Sequence, residues 1–329
     1  MRAMIVAAGL GTRLRPLSEL LPKPAMPVRG LPLVAYPLAL LARHGVTEVV
    51  INAHHLPERL QDAARRHCPP GLILHFSLEP ELLDTGGAIR QVAGFLRESD
   101  PCLILGGDMI LDVDLGALAA RHRARGDAVT LLLRRDPRAA QFGSLGIDAE
   151  GRVRRIARRF DLGGEVEAGL YTWVNAVSPR ALDALPQRAA FGHLDHWIAP
   201  LLAAGARDVR GDLVGAEACV WEPVGTPAEY LAANLRPRPL SYLDPEARAR
   251  ARGVRFGSDL VLGVGATLAP GASLERAVVW DGEHVPPSLR ASDGVFAGGR
   301  FHPCGPLPVR GSAPGPEPGD GAGDEGRGR

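Results

Sequence analysis

The chain has 329 residues, 46% hydrophobic and 23% charged, with a formal net charge of +1. At roughly 150 residues per domain this suggests two folding units, with enough core to need no covalent staple. The near-neutral balance argues against a general nucleic-acid binder, and the longest apolar run, residues 31–42, holds Pro32 and Pro37 and is too short for a bilayer span. Four scattered cysteines (Cys68, Cys102, Cys219, Cys304) show neither metal spacing nor a disulfide framework. The stretch before Gly9 is too short for a secretory signal, so a cytoplasmic location is expected.

In chain order, Ala3 to Ala8 reads as a fully apolar strand, followed by the turn Gly9-Leu10-Gly11. Val34 to Arg43 is helical with Gly45 as its C-cap, and Glu48 to Asn52 is the next strand. A polar helix at Pro57 to His67, a strand at Leu72 to Phe76, a helix at Gly87 to Leu96 and a strand at Cys102 to Leu105 follow. This alternation predicts an α/β fold: a mixed, mostly parallel sheet sandwiched by helices. After the helix Asp114 to Arg125 come strands at Ala128 to Arg134, Leu145 to Asp148, Val153 to Ile156 and Leu170 to Val177, which read as antiparallel additions. Asp195 to Ala204 and Pro227 to Leu235 read as helices.

Residues 1–236 thus form one domain, and Arg236-Pro237-Arg238-Pro239 opens a linker over 237–252. In 253–303, Val254, Leu260, Leu268, Leu274 and Val279 recur at a loose six-residue period with glycines between them. Short hexapeptide β-helix coils and an irregular β-rich cap fit that pattern equally well. Residues 304–329 are expected to be disordered, because thirteen of the twenty-five residues from Gly305 onward are Gly or Pro and none is aromatic.

Of the 38 basic residues, Lys23 is the one lysine. A compact ammonium and a planar guanidinium are chemically different, so an isolated lysine among arginines points to retained chemistry at Lys23. It follows a glycine-rich segment, Gly9-Leu10-Gly11-Thr12-Arg13-Leu14-Arg15-Pro16-Leu17, and stands in Pro22-Lys23-Pro24. Glycines directly after a buried strand let backbone N–H groups approach phosphate oxygens, and Arg13 and Lys23 add two cations to meet the charge. The segment matches neither the dinucleotide fingerprint nor the Walker loop.

This segment resembles the signature of the sugar-1-phosphate nucleotidylyltransferases. The likeness continues through Leu83-Asp84-Thr85-Gly86-Gly87-Ala88, Gly106-Gly107-Asp108 and Gly225-Thr226-Pro227-Ala228-Glu229-Tyr230, and so covers residues 1–236. Within the family the chain looks nearest to mannose-1-phosphate guanylyltransferases and N-acetylmuramate-1-phosphate uridylyltransferases. The resemblance implies the Rossmann-like nucleotide-diphospho-sugar transferase fold, with a short left-handed β-helix as the form a C-terminal segment takes. It also implies attack by a sugar 1-phosphate on the α-phosphorus of an NTP, GTP or UTP, with release of pyrophosphate. Ala8, Gly9, Gly11 and Thr12 would cradle the triphosphate, Arg13 would stabilise the pyrophosphate, and Lys23 would bridge the α-phosphate and the incoming sugar phosphate. Asp108 would hold Mg²⁺, a hard cation suited to carboxylate and phosphate oxygens. Thr85, Gly86 and Gly87 would pass the base, with Gly87 opening a helix, and Glu79 or Glu81 would accept base N–H donors. Gly143, Arg159, Glu167 and Gly169 match positions lining the family's sugar pocket. No nucleic acid or membrane partner is expected, and self-association through the C-terminal segment is the family precedent.

Two departures bear on activity. Where many members carry Glu-Lys-Pro, this chain has Arg158-Arg159-Phe160, which keeps a cation and loses the carboxylate. Where the family places a second metal-binding Asp, two residues before the glycine of Gly-Thr-Pro, this chain has Pro223. Either Glu222 reaches in from the adjacent position, or Asp108 acts with waters and phosphates, or the metal site is impaired. The last case corresponds to a catalytically weak nucleotide-sugar-binding regulatory protein.

Overall fold

The computed structural model describes residues 1–307, so most of the predicted tail (308–329) lies outside the described residues. At the centre is a ten-stranded sheet. Eight strands follow one another in the order Phe160–Asp161, Val153–Ile156, Ser144–Ile147, Glu167–Val177, Cys102–Gly106, Arg2–Val6, Glu48–Ala53 and Ile73–Leu78. Val129–Arg134 pairs with Glu167–Val177 and carries Val209–Val214 beside it. The last four strands of the path are mutually parallel, whereas Glu167–Val177 is antiparallel to every strand it meets. The fold is therefore α/β, a mixed sheet with a parallel centre.

The central strands are mostly apolar because both faces are covered. Met4 and Ile104 pack into one core, and Ala3, Ile5, Leu103 and Leu105 into the other, the alternation that a pleated strand imposes. Helix ends follow local chemistry. Asp114 caps Leu115–Arg125 by accepting from Ala117 N at 2.8 Å, and Thr226 and Glu229 form a capping box on Pro227–Leu235.

Several elements differ from the sequence reading. The helix expected from Gly87 starts at Asp84, so Gly87 lies inside Asp84–Gln91 rather than opening it, and a break at Val92 separates it from Ala93–Leu96. The stretch 195–204 is a π-turn, Leu194–Ile198, continued by Ala199–Ala203. The segment expected as linker holds a helix, Pro245–Arg250, capped by Asp244 and tied to the main domain by an Arg29–Glu246 ion pair. Met109–Val113 and Cys219–Pro223 form an unforeseen antiparallel pair.

Beyond this helix, Leu260–Leu262, Ser273–Val279 and Arg290–Ala297 stack in parallel, with Leu260, Ala277 and Gly294 in register. Thr267–Leu268 and His284–Val285 repeat the same 17-residue step, so the segment is built of stacked coils rather than an irregular cap. The coils dock through Tyr230, whose hydroxyl accepts from Trp280 Nε1 at 3.0 Å and donates to the Pro27 carbonyl at 2.5 Å.

Candidate active site

A cleft of about 520 Å³ opens where open α/β sheets place their ligands, at the C-terminal ends of the parallel strands. Val6 to Gly9 continue the first strand into its wall, and Gly11, Thr12 and Arg13 follow as the start of a tight turn. Gly11 has φ +62°, a left-handed backbone that suits glycine. Lys23, held between Pro22 and Pro24, reaches the same cleft almost wholly enclosed, at 8% exposure. Its Nζ donates to Asp108 Oδ2 at 3.0 Å. The turn carrying Asp108 can press against the first strand because Gly107 has no side chain. A Cβ there would lie 2.9 Å from Ile5 Cγ2 and 3.0 Å from the Val6 carbonyl, and Gly107 N donates to that carbonyl at 2.8 Å.

Towards the outer strands, Asn52 and Glu79 brace the floor. Asn52 Oδ1 accepts from Ala7 N at 2.6 Å, and its Nδ2 donates to Glu79 Oε1 at 2.7 Å. Glu79 is buried, and its Oε2 accepts from Leu83 N at 3.1 Å. Glu81 is exposed and does not line the cleft. Thr85 and Leu82 line it, but Gly86 and Gly87 do not. A Cβ on Gly86 would lie 2.2 Å from the Phe191 ring, and one on Gly87 would lie 2.1 Å from the Ala189 carbonyl. These glycines make room for the chain at 189–191. Gly225 does the same for Arg13: its missing Cβ would lie 3.1 Å from both Arg13 Nη2 and Glu229 Oε2.

The expected sugar-side residues are not gathered into this cleft. Glu167 pairs with Arg135 at 2.7 Å, and Arg159 with Asp195 at 2.6 Å, all near the surface. Gly143 is a turn glycine with φ +93°. Gly169 is core-packed, since a Cβ there would lie 2.5 Å from Leu213 Cδ1. The residue facing the cleft from that side is Trp173, which the sequence reading passed over.

Glu222 is also turned away. It sits opposite Ile110 in a regular ladder with no bulge, pairs with Arg238 at 3.2 Å, and lines a separate cavity. Among the described residues no group of three or more His, Cys, Asp or Glu side chains is arranged to hold a metal. Asp108 is half-exposed with its second oxygen open to the cleft, and Mg²⁺ commonly takes one or two carboxylates and completes its shell with phosphates and water. The donor set therefore suits a metal that arrives on a polyphosphate, and does not suit one caged by protein alone. His54 and His55, at the end of the Glu48–Ala53 strand, face the Glu79 and Ser18 carbonyls at 2.7 and 2.9 Å and have structural partners.

Known proteins resemble this chain over most of its length. The family model described as nucleotidyl transferase matches residues 2–237. A mannose-1-phosphate guanylyltransferase of Mycobacterium tuberculosis (strain ATCC 25618 / H37Rv) is 31% identical over 299 residues, covering 86% of this chain and 80% of that enzyme. A UTP–glucose-1-phosphate uridylyltransferase of Synechocystis sp. (strain ATCC 27184 / PCC 6803 / Kazusa) is 29% identical over 202 residues, covering 56% of this chain and 51% of that enzyme. The crystal structure of HddC from Yersinia pseudotuberculosis, complexed with GMP-PN, shares the fold with a TM-score of 0.56 at 21% identity, covering 70% of this chain and 97% of that one. No helix among the described residues is long and apolar enough to cross a membrane. By its matched domain and its relatives, the chain belongs to the nucleotidyl transferase family, among the sugar-1-phosphate nucleotidylyltransferases.

Proposed function

We propose that the cleft joins GTP or UTP to a sugar 1-phosphate, giving an NDP-sugar and pyrophosphate. One observation carries the reading: the single lysine, an acidic strand end and the glycine-rich loop share one cavity, with Lys23 Nζ 3.0 Å from Asp108. Such a reaction needs positioning and charge neutralisation more than covalent catalysis. A phosphate oxygen of the sugar 1-phosphate attacks the α-phosphorus, a new P–O bond forms, and the bond to the β-phosphate oxygen breaks. The Gly9–Thr12 backbone holds the triphosphate, and Arg13, in the space left by Gly225, receives the departing pyrophosphate. Lys23 sits between the α-phosphate and the incoming phosphate, where its charge offsets both. Asp108 is the protein's ligand for Mg²⁺, which when bound neutralises phosphate charge.

At the far end, Glu79 offers a carboxylate, an acceptor without hydrogens, matching the N–H edges of guanine or uracil better than the amino edge of adenine. Trp173 marks the acceptor side. Two of its relatives are named for mannose 1-phosphate and glucose 1-phosphate, which supports a hexose 1-phosphate as acceptor. Pro223 supports the second reading, a nucleotide-sugar binder with little turnover.

The test is pyrophosphate release with a panel of NTPs and sugar 1-phosphates in Mg²⁺. Turnover with GTP or UTP is expected. No turnover with any pair, alongside tight NDP-sugar binding, establishes the second reading instead.

A further inference from the structure

The imidazole of His193 lies behind the cleft wall, 3% exposed, and belongs to no sequence motif. Its contacts fix the direction of a hydrogen-bond chain. Thr85 Oγ1 accepts from His193 N at 3.0 Å and lies 2.9 Å from His193 Nδ1. Burial holds the imidazole neutral, with its pKa pushed down to about 4. The Tyr171 hydroxyl donates to Asn175 Oδ1 at 2.6 Å and so has no proton left for the ring. His193 Nε2, 3.0 Å from that hydroxyl, must therefore carry the proton and donate. Nδ1 is then an acceptor, and the Thr85 hydroxyl donates to it. Asn175 Nδ2 in turn donates to the Ile104 carbonyl at 3.2 Å, in the strand that leads to Asp108.

The ring also supports Trp173, with centroids 4.6 Å apart. Trp173 has φ +62° at the point where pairing with Val129–Arg134 shifts register between Tyr171 and Asn175. A bulge of this kind re-aims a side chain, and a bulky residue keeps a left-handed backbone only where its surroundings over-determine it.

We propose that His193 is a positioning residue for the cleft: its backbone N–H and its ring hold the Thr85 hydroxyl, and the same ring seats Trp173 beside it on the cleft wall. This rests on the reading above that Thr85 meets the nucleotide. Asparagine places a carbonyl oxygen near the Nδ1 position and can accept from Thr85. Glutamine places an amide near Nε2 and can reach Tyr171 instead.

The experiment measures nucleotide dissociation constants alongside KM and kcat for His193→Leu, His193→Asn and His193→Gln, each checked for cooperative thermal unfolding. Losing a held hydroxyl corresponds to about a tenfold effect, so His193→Leu should weaken nucleotide binding about tenfold. His193→Asn should recover most of that loss and His193→Gln little of it. If His193→Leu does not fold, Thr85→Val removes the hydroxyl itself, and with it both bonds to His193, and should weaken nucleotide binding at least as much. In a Thr85→Val background, the Asn and Gln variants should become equivalent. A folded His193→Leu, or a Thr85→Val, that binds nucleotide as the unaltered protein does overturns the proposal, as does equal recovery by Asn and Gln. Binding is read without turnover, so an inactive unaltered protein would sink the catalytic reading and leave this test standing.

Discussion

Replacing Lys23 separates a chemical role from a structural one. Its ammonium is enclosed, but its partner Asp108 is half-exposed, so the ion pair adds at most about 1 kcal/mol to stability. Lys23→Met keeps the stem and deletes the charge, which shifts the melting temperature by no more than about 2–4 °C. On the proposed mechanism the same ammonium meets charge developing at the α-phosphate inside the cleft. Removing a preorganised group of that kind costs about 2.7–4 kcal/mol of transition-state stabilisation, a loss of about 10²–10³ in kcat. Lys23→Arg refines the comparison, since the chain uses arginine everywhere else. A planar fork differs in shape from a compact ammonium and cannot present a single point of charge, so arginine should recover less than about a tenth of the activity. The assay is pyrophosphate release under saturating substrates, paired with thermal melts. A Lys23→Met enzyme with unaltered kcat, or full rescue by arginine, refutes the assignment of Lys23 to the chemistry.

Three further outcomes follow from the same geometry. Pro223 pairs with Met109, the residue after Asp108, so Pro223→Asp adds a carboxylate close to the turn that carries Asp108, and should lower the Mg²⁺ concentration needed for half-maximal activity; an unchanged Mg²⁺ titration shows that the second carboxylate is not limiting. Gly86→Ala drives a methyl to within 2.2 Å of the Phe191 ring, a clash that should cost about 1–3 kcal/mol in chemical denaturation; an unmoved midpoint contradicts the packing role assigned to this glycine. Burial lowers the pKa of His193 from 6.5 to about 4, so between these values the unfolded chain takes up a proton that the folded chain refuses. The stabilisation is complete above pH 6.5 and is lost as the pH falls towards 4, on the order of 2 kcal/mol between pH 7 and 5. Thermal melts across that range should show a shallower pH dependence for His193→Asn, and identical slopes would contradict the buried neutral imidazole.

Legibility in the sequence divides between local and non-local information. The apolar run Ala3–Ala8 signals a strand, found at Arg2–Val6, because the centre of a parallel strand buried on both faces has no polar positions to confuse it. The helix Pro57–His67 is equally plain, with Pro57 at its start and Leu60, Ala64 and His67 on its buried side. Gly9 to Lys23 could be singled out as a unit because its parts are neighbours in the chain. Facing direction, by contrast, depends on pairing. Whether Glu222 or Pro223 points at Asp108 is decided by a ladder with Met109–Val113, over a hundred residues away, and nothing near Glu222 announces that partner. The bulge that aims Trp173 is likewise a property of two strands together. Gly86 and Gly87 misled for a related reason: glycine signals close approach without saying to what, and here the neighbour is the 189–191 segment.

The strand order itself supports the orientation proposed for the two substrates. Glu79 follows the outermost parallel strand, Asn52 ends the next, Ala7 to Gly9 follow the third and Asp108 the fourth, while Trp173 stands on the antiparallel strand beyond. Strands lie about 4.8 Å apart, so the five strand ends that carry these groups span about 19 Å. Charge is concentrated in the middle of the row, at Arg13, Lys23 and Asp108, whereas an acceptor-rich end lies at Glu79 and an aromatic end at Trp173. Two substrates lying end to end along such a row bring their phosphates together at its centre and keep base and sugar apart. With the base at Trp173 instead, the Gly9–Thr12 loop would still meet phosphate, but the buried Glu79 carboxylate would face a sugar and the indole a purine. The hydrogen-bond acceptors around Asn52 and Glu79 fit the N–H edge of a base, which supports the proposal that the acceptor sugar lies on the Trp173 side of Lys23.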